Sequence, residues 1–341
     1  MTPLFKRAAV FTDIHFGRKN NDKVHNNDCL DYIDWFISVT KERNADCVIF
    51  CGDYFDNRHS IQISTLHAGI LGLERLNTLD IPIYFLLGNH DLVYKDQRTL
   101  SSVIIAKKYN NIKVFYDIET IGGVTFCPWL VHDEWKLIQN LAKKSTYIFG
   151  HFELPTFMMN AMVEMPESPD GLDYRHFDEV DQWAFTGHFH KKQSKGRVIY
   201  MGNTFPHNFA DVWDDDRGMM LLDWCQKPEF LPWPHAPSYK TVQLSELMDN
   251  PEAFLQERVY ARVTSDLGIT HNQSQLIRDI FQIHFTPRRI EILDPNKGGE
   301  ALDFDDDPTY KTVDQLVIEG LNNVDSSHLD KKLLVDLYLG L

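Results

Sequence analysis

The chain has 341 residues, 43% hydrophobic and 24% charged, the composition of a globular protein with room for one sizeable domain and a smaller companion. Its five cysteines are odd in number and form no Cys-x-x-Cys pair, which argues against a disulfide framework and for a reducing cytoplasm, and no apolar run of 18 residues offers a membrane span. The net charge of −15 divides as −7 over residues 1–235 and −8 over the rest, so the surface as a whole does not attract a polyanion.

In chain order, Lys6 and Arg7 precede an apolar run that stops at Asp13, too short for a signal-peptide core. Short β-branched and aromatic runs then alternate with helix-period segments, the pattern of an α/β sheet. Strands are expected at 8–12, 47–51, 83–87, 147–149 and 183–186, with two more at 198–201 and 219–222. Segments 30–39 and 63–76 carry apolar residues at spacings of three and four and read as amphipathic helices. Pro228, Pro232, Pro234 and Pro237 mark a boundary near residue 235. Beyond it, strands at 260–264 and 289–293 around a helix at 273–283 indicate a small α/β domain over 236–295. An acidic linker at 296–311 and two short helices within 312–341 complete the expected organisation.

The expected strands of the first domain end in clusters of metal-compatible residues: Asp13-Ile14-His15, Gly52-Asp53-Tyr54-Phe55-Asp56, Gly88-Asn89-His90-Asp91, Gly150-His151-Phe152-Glu153 and Gly187-His188-Phe189-His190. In α/β sheets ligands collect outside the carboxyl ends of strands, where loops converge. Carboxylate, imidazole and amide oxygen together suit manganese, iron or zinc, whereas magnesium prefers oxygen alone. Taken singly, a strand-end Asp or Asn is more often a turn residue, and a lone His more often a hydrogen-bonded imidazole than a ligand. The ordered recurrence of all five clusters reverses that weighting.

These five motifs resemble the hallmark order of the calcineurin-like metallophosphoesterases. Further text, including Gly52–Arg58, Gly88–Lys95, Pro128-Trp129 and Tyr200–Asn203, is similar to the SbcD-type nucleases of double-strand-break repair and to the recombination nuclease subunits of tailed phages. The resemblance implies an α/β sandwich of mixed β-sheets flanked by helices, with a small capping domain and C-terminal helices. It implies one ion held by Asp13, His15, Asp53 and His190, and a second held by Asp53, Asn89, His151 and His188, with Asp53 shared. His90 then faces the scissile phosphate as a catalytic group, with Asp91 orienting it. Two divalent ions, manganese first and magnesium as the alternative, are the implied cofactors. The implied partners are duplex DNA, a second copy of the chain through helices near 63–76 and 100–109, and an SbcC-type coiled-coil ATPase docked on the C-terminal helices.

The metal core alone does not select the substrate, since small phosphoesters, phosphoproteins and nucleic acids are all served by this superfamily. Arg18, Lys19, Arg58, Lys191 and Lys192 follow the motifs and are the DNA-binding candidates; a solvated basic face is the alternative reading. Tyr54, Phe55 and Phe189 stack on a displaced base or simply fill the core. A catalytically silent scaffold of the same fold is a further alternative, opposed by the intact ligand set.

Overall fold

The structure, a computed structural model, describes residues 2–159, 163–167 and 171–293. The acidic linker and the C-terminal helices expected at 296–341 lie outside the described residues.

Two six-stranded mixed sheets face each other. The first has the order β12-β11-β1-β2-β3-β4, built from β1 (Arg7–Phe11), β2 (Cys47–Phe50), β3 (Ile83–Leu86), β4 (Ile112–Phe115), β11 (Gly218–Asp223) and β12 (Glu229–Pro232). Strands β1 to β4 are parallel, and β11 and β12 add antiparallel neighbours on one side. The second sheet has the order β5-β6-β7-β8-β10-β9, from β5 (Glu119–Ile121), β6 (Val124–Cys127), β7 (Tyr147–His151), β8 (Trp183–Gly187), β9 (Gln193–Lys195) and β10 (Val198–Tyr200). Here β6, β7, β8 and β10 are parallel.

Every residue of β2 and β7 is buried, because parallel strands covered on both faces read as continuous apolar runs rather than alternating ones. Ala8, Val10, Ile49 and Leu86 meet Phe126, Phe149 and Phe185 between the sheets. The outer face of the first sheet, through Ala9, Phe11, Val48 and Phe50, packs on α1 (Lys23–Glu42) and α2 (Ile63–Asn77). Cys29, Leu30, Ile33, Phe36 and Ile37 supply the apolar stripe of α1, at the spacing that defines one helical face. The helix expected over 30–39 thus starts earlier, at a cap where the Asp22 carboxylate accepts the Val24 N–H at 3.1 Å. The helical segment expected at 100–109 is instead a short 3-10 turn, Ile104–Lys108. Pro232 does not open a linker; it closes β12 at the sheet margin, where a missing N–H costs no ladder bond.

The third sheet is parallel throughout, in the order β13 (Ser238–Gln243), β14 (Val259–Thr264) and β15 (Arg289–Leu293). It is backed by α3 (His271–Phe285), whose start is a reciprocal cap between Thr270 and Gln273. This sheet nevertheless belongs to one compact unit with the two large ones. The Arg288 guanidinium grips both oxygens of Asp28 on α1, and Arg258 reaches Asp31 at 2.6 Å. Tyr239 and Tyr260 stack at 4.8 Å, and Lys19 lies 4.0 Å over the Tyr260 ring. All five cysteines are free, four of them buried.

Candidate metal centre

Asp13 and His15 follow β1, Asp53 follows β2, Asn89 and His90 follow β3, His151 closes β7, and His188 and His190 follow β8. Because these strands are parallel within each sheet and the sheets are stacked, their carboxyl ends converge on one rim. The loops are laced together by backbone bonds, Asp13 N–H to the Gly52 carbonyl at 3.0 Å and His15 N–H to that of Asp53 at 3.2 Å. Asp13, His15, Asp53 and His188 all have positive φ (53°, 51°, 62° and 88°), a conformation side chains rarely adopt and one that aims four of the seven expected ligands inward. Gly88 is required by close approach: a Cβ there would lie 2.1 Å from the Asp53 carboxylate.

The side chains form two groups. In the first, Nε2 of His15 and Nε2 of His190 are 3.2 Å apart, and each lies 3.8 Å from Asp13 Oδ1. In the second, the Asn89 amide oxygen is 3.0 Å from His151 Nε2 and 2.9 Å from His188 Nδ1. Asp53 Oδ2 stands between them, 3.7 Å from His15 and 3.2 Å from His151. All seven expected ligands are therefore brought together. Their donor atoms are the mixed nitrogen and oxygen set that a borderline divalent cation takes.

The buried carboxylates concentrate negative charge here, which protons on two of the histidines offset and which a divalent cation would offset in their place. Burial opposes charge on His15 and His151, yet the surrounding carboxylates win and lift them to about 10 and about 9. Burial also opposes charge on Asp53, but His151 and His90 hold its carboxyl well below the usual range. His188 and His190, buried and flanked by other imidazoles, are pushed far down and stay neutral, the form that ligates metal.

His90 is half-buried. Its backbone N–H donates to Asp53 Oδ1 at 2.8 Å and its Nδ1 meets the Asp56 carbonyl at 2.5 Å. That bond makes Nδ1 the protonated nitrogen and assigns proton exchange to Nε2. Asp91 does not fill the orienting role expected of it. Its two oxygens accept the backbone N–H groups of Gly88, Asp53 and Tyr54, each at 2.9 Å, and that of Phe55 at 3.4 Å. Four donors occupy its four lone-pair directions, so Asp91 ties the β2 and β3 loops to each other.

The basic candidates sit in different surroundings. Arg18 is buried and pairs with Asp56 at 3.1 Å, while Lys19 donates to the Tyr239 hydroxyl, so both charges already have partners within the protein. Lys192 pairs with Asp216. Arg58 is half-buried, and Lys191, also half-buried, has no ion pair among the described residues. Tyr54, Phe55 and Phe189 are core residues.

Three residues were not singled out from sequence. Asp56 Oδ1 lies 3.3 Å from His15 Nδ1, the arrangement in which a carboxylate fixes the tautomer of a ligating imidazole; its place three residues after Asp53 in the same motif was the available signal. His207 is fully buried, both its ring nitrogens lack a partner among the described residues, and its ring is 5.3 Å from that of His190. Arg217 donates to the His190 carbonyl, to Asn203 and to Asp214, holding the last motif in place. With its side chain 1% exposed, Arg217→Ala is expected to cost about 3–5 kcal/mol by leaving Asp211 and Asp214 unpaired, read as a lower denaturant midpoint. Full stability in that variant would show the network to be dispensable.

Residues 6–230 match the family described as calcineurin-like phosphoesterase. The chain belongs to that family. Its two-sheet architecture and rim of histidines and carboxylates are those of a phosphoesterase. The sequence is 30% identical over 230 residues to Exonuclease subunit 1 of Enterobacteria phage T4, covering 64% of this phosphoesterase and 66% of the phage protein. It is 24% identical over 237 residues to the DNA double-strand break repair protein Mre11 of Methanococcus maripaludis, covering 62% and 61%. The chain thus spans somewhat less than two thirds of these relatives. Among solved structures, a dimetal phosphatase from Danio rerio overlaps at TM-score 0.40 and 11% identity, covering 65% of this chain and 93% of that one. Among the described residues no helix is long and apolar enough to cross a membrane.

Proposed function

We propose that this phosphoesterase is a two-metal DNA nuclease, an exonuclease acting 3′ to 5′ on duplex ends and an endonuclease, working in the cytoplasm with an SbcC-type ATPase in recombination and repair. The observation that carries the reading is the pair of ligand groups meeting at one Asp53 oxygen with His90 beside them. The first ion would be held by Asp13, His15, Asp53 and His190, and the second by Asp53, Asn89, His151 and His188. Bound there, two divalent cations, manganese in preference to magnesium, supply positive charge against a phosphodiester and acidify an attacking water. His90 gives a proton to the departing oxygen or stabilises its charge, and Asp56 holds the His90 and His15 rings in register. The choice of DNA over smaller esters is supported by the similarity to a phage exonuclease subunit and to a double-strand break repair protein.

Comparing Mn²⁺-dependent turnover of labelled duplex DNA, a small phosphodiester and a phosphomonoester, with and without the ATPase, tests the reading. Cleavage of duplex is expected; rapid monoester hydrolysis with inert DNA overturns it. Among the basic candidates we assign a phosphate contact to Lys191, which directly follows the last motif and has no ion pair among the described residues. Lys191→Ala is expected to reduce the slope of log affinity for DNA against log salt by about 1, and Lys192→Ala by less because Asp216 already neutralises that charge. An unchanged slope for Lys191→Ala removes it from the interface.

Association of two copies is proposed through the α2 side, where Ile63, Leu100 and Ile104 are exposed. Docking of the ATPase is proposed on the tail, where Val313, Leu316, Val317 and Leu321, then Leu329, Leu333 and Leu337, recur at helical spacing.

A further inference from the structure

A cavity of about 160 Å³ opens beside the candidate metal centre, walled by Trp129, His132, Trp135, His151, Phe152 and Glu153. His151 thus belongs both to the cavity and to the second ligand group. Trp129 is immobilised: its N–H donates to the Leu87 carbonyl at 2.7 Å, its own carbonyl accepts Arg98 Nε at 2.8 Å, and its indole N–H donates to the Lys95 carbonyl at 3.1 Å. The indole centroid lies 5.3 Å from the His188 ring and 6.2 Å from that of His151. Across the cavity Trp135 is braced edge-on by His176 at 5.8 Å. Between them His132 adopts a left-handed backbone, φ 51°, a local cost tolerated where the surrounding structure imposes it.

We propose that this cavity receives one unstacked nucleobase, that of the nucleotide whose phosphate lies at the metal centre. The inference rests on the nuclease reading above for the identity of the ligand, while the cavity itself does not depend on it. The Trp129 and Trp135 indoles offer π-faces on which any base stacks, and holding Trp129 in place beforehand lowers the ordering cost of binding. Sharing His151 with the ligand group places base and phosphate within one nucleotide. Glu153, exposed at the wall, only accepts hydrogen bonds when ionised, and so matches the exocyclic amino groups of adenine, cytosine and guanine, which thymine lacks. A base still stacked and paired in a duplex cannot enter, so the strand end must open locally before cleavage.

The test is calorimetric titration of the full-length, Mn²⁺-loaded protein with dAMP and with deoxyribose 5-phosphate, which lacks the base. The wild type is expected to bind dAMP about 5- to 160-fold more tightly, the range given by stacking on aromatic side chains. Trp135→Ala should erase that advantage, Trp135→Phe should restore part of it, and affinity for deoxyribose 5-phosphate should be the same in all three, which also reports intact folding. The proposal is overturned if the wild type shows no preference for dAMP, or if Trp135→Ala keeps it. A single-stranded oligonucleotide with an abasic residue at the cleaved position should be cut more slowly than its parent by the wild type and equally by Trp135→Ala. If dAMP binds as expected but no oligonucleotide is cut, the base pocket stands and the nuclease reading falls.

Discussion

Replacing His90 with asparagine is expected to lower turnover by about 10²- to 10⁴-fold, the range for losing a positioned acid or base, while two divalent ions remain bound. The separation follows from the proposed ligand set. His90, His15 and Asp56 also bring ligand atoms close to one another, but the set proposed for the two ions is Asp13, His15, Asp53, Asn89, His151, His188 and His190. Asparagine keeps the backbone N–H that meets Asp53 Oδ1 at 2.8 Å, so the loop should hold its shape. It cannot exchange a proton at neutral pH. Measuring kcat on duplex DNA alongside metal content by elemental analysis decides the matter. Retention of wild-type kcat removes His90 from the chemistry, and loss of one ion makes it a ligand.

Asp53→Ala has the larger structural consequence. One of its oxygens lies between His15 and His151, and the other anchors the backbone of His90. Loss of an outer partner of a ligand weakens metal binding about 10- to 100-fold, and removal of a shared carboxylate should exceed that at both positions. Titration with Mn²⁺ is expected to show both affinities reduced, with activity lost in parallel. Asp13→Ala, by contrast, should weaken chiefly the ion held with His15 and His190. Two undiminished sites in Asp53→Ala would mean that no carboxylate is shared.

The centre was legible because its residues cluster in short motifs, each behind an apolar run that the strand pattern alone identifies. What connects the motifs was not. The role of Asp91 depends on which backbone N–H groups surround it, and three of its partners, Asp53, Tyr54 and Phe55, come from another motif. Arg18 and Lys19 read as a basic patch because sequence shows charge and not the carboxylate or ring that meets it. His207 follows no motif, and only packing sets it against His15 and His190. Among the strands, β4, β5 and β9 are three or four residues of mixed polarity, too short for a period to emerge. The hairpin joining β5 and β6 did leave a trace, since Gly122 and Gly123 both take positive φ in a two-residue turn that the pair Gly-Gly announces. The small sheet was recognised by two strands and a helix, but β13 was hidden behind the prolines before it.

Asp28 also bears on how far the large sheets can stand alone. It sits on α1, only 2% exposed, and its counter-charges are Arg288 and Arg258, supplied from residues far along the chain. A shortened protein ending near residue 235 would retain every metal ligand yet lose both of the cations that meet Asp28 and uncover this side of α1. The two large sheets and the small one are thus tied by charge as well as by packing, and a fragment ending near 235 is expected to unfold at lower denaturant than a chain that extends past β15.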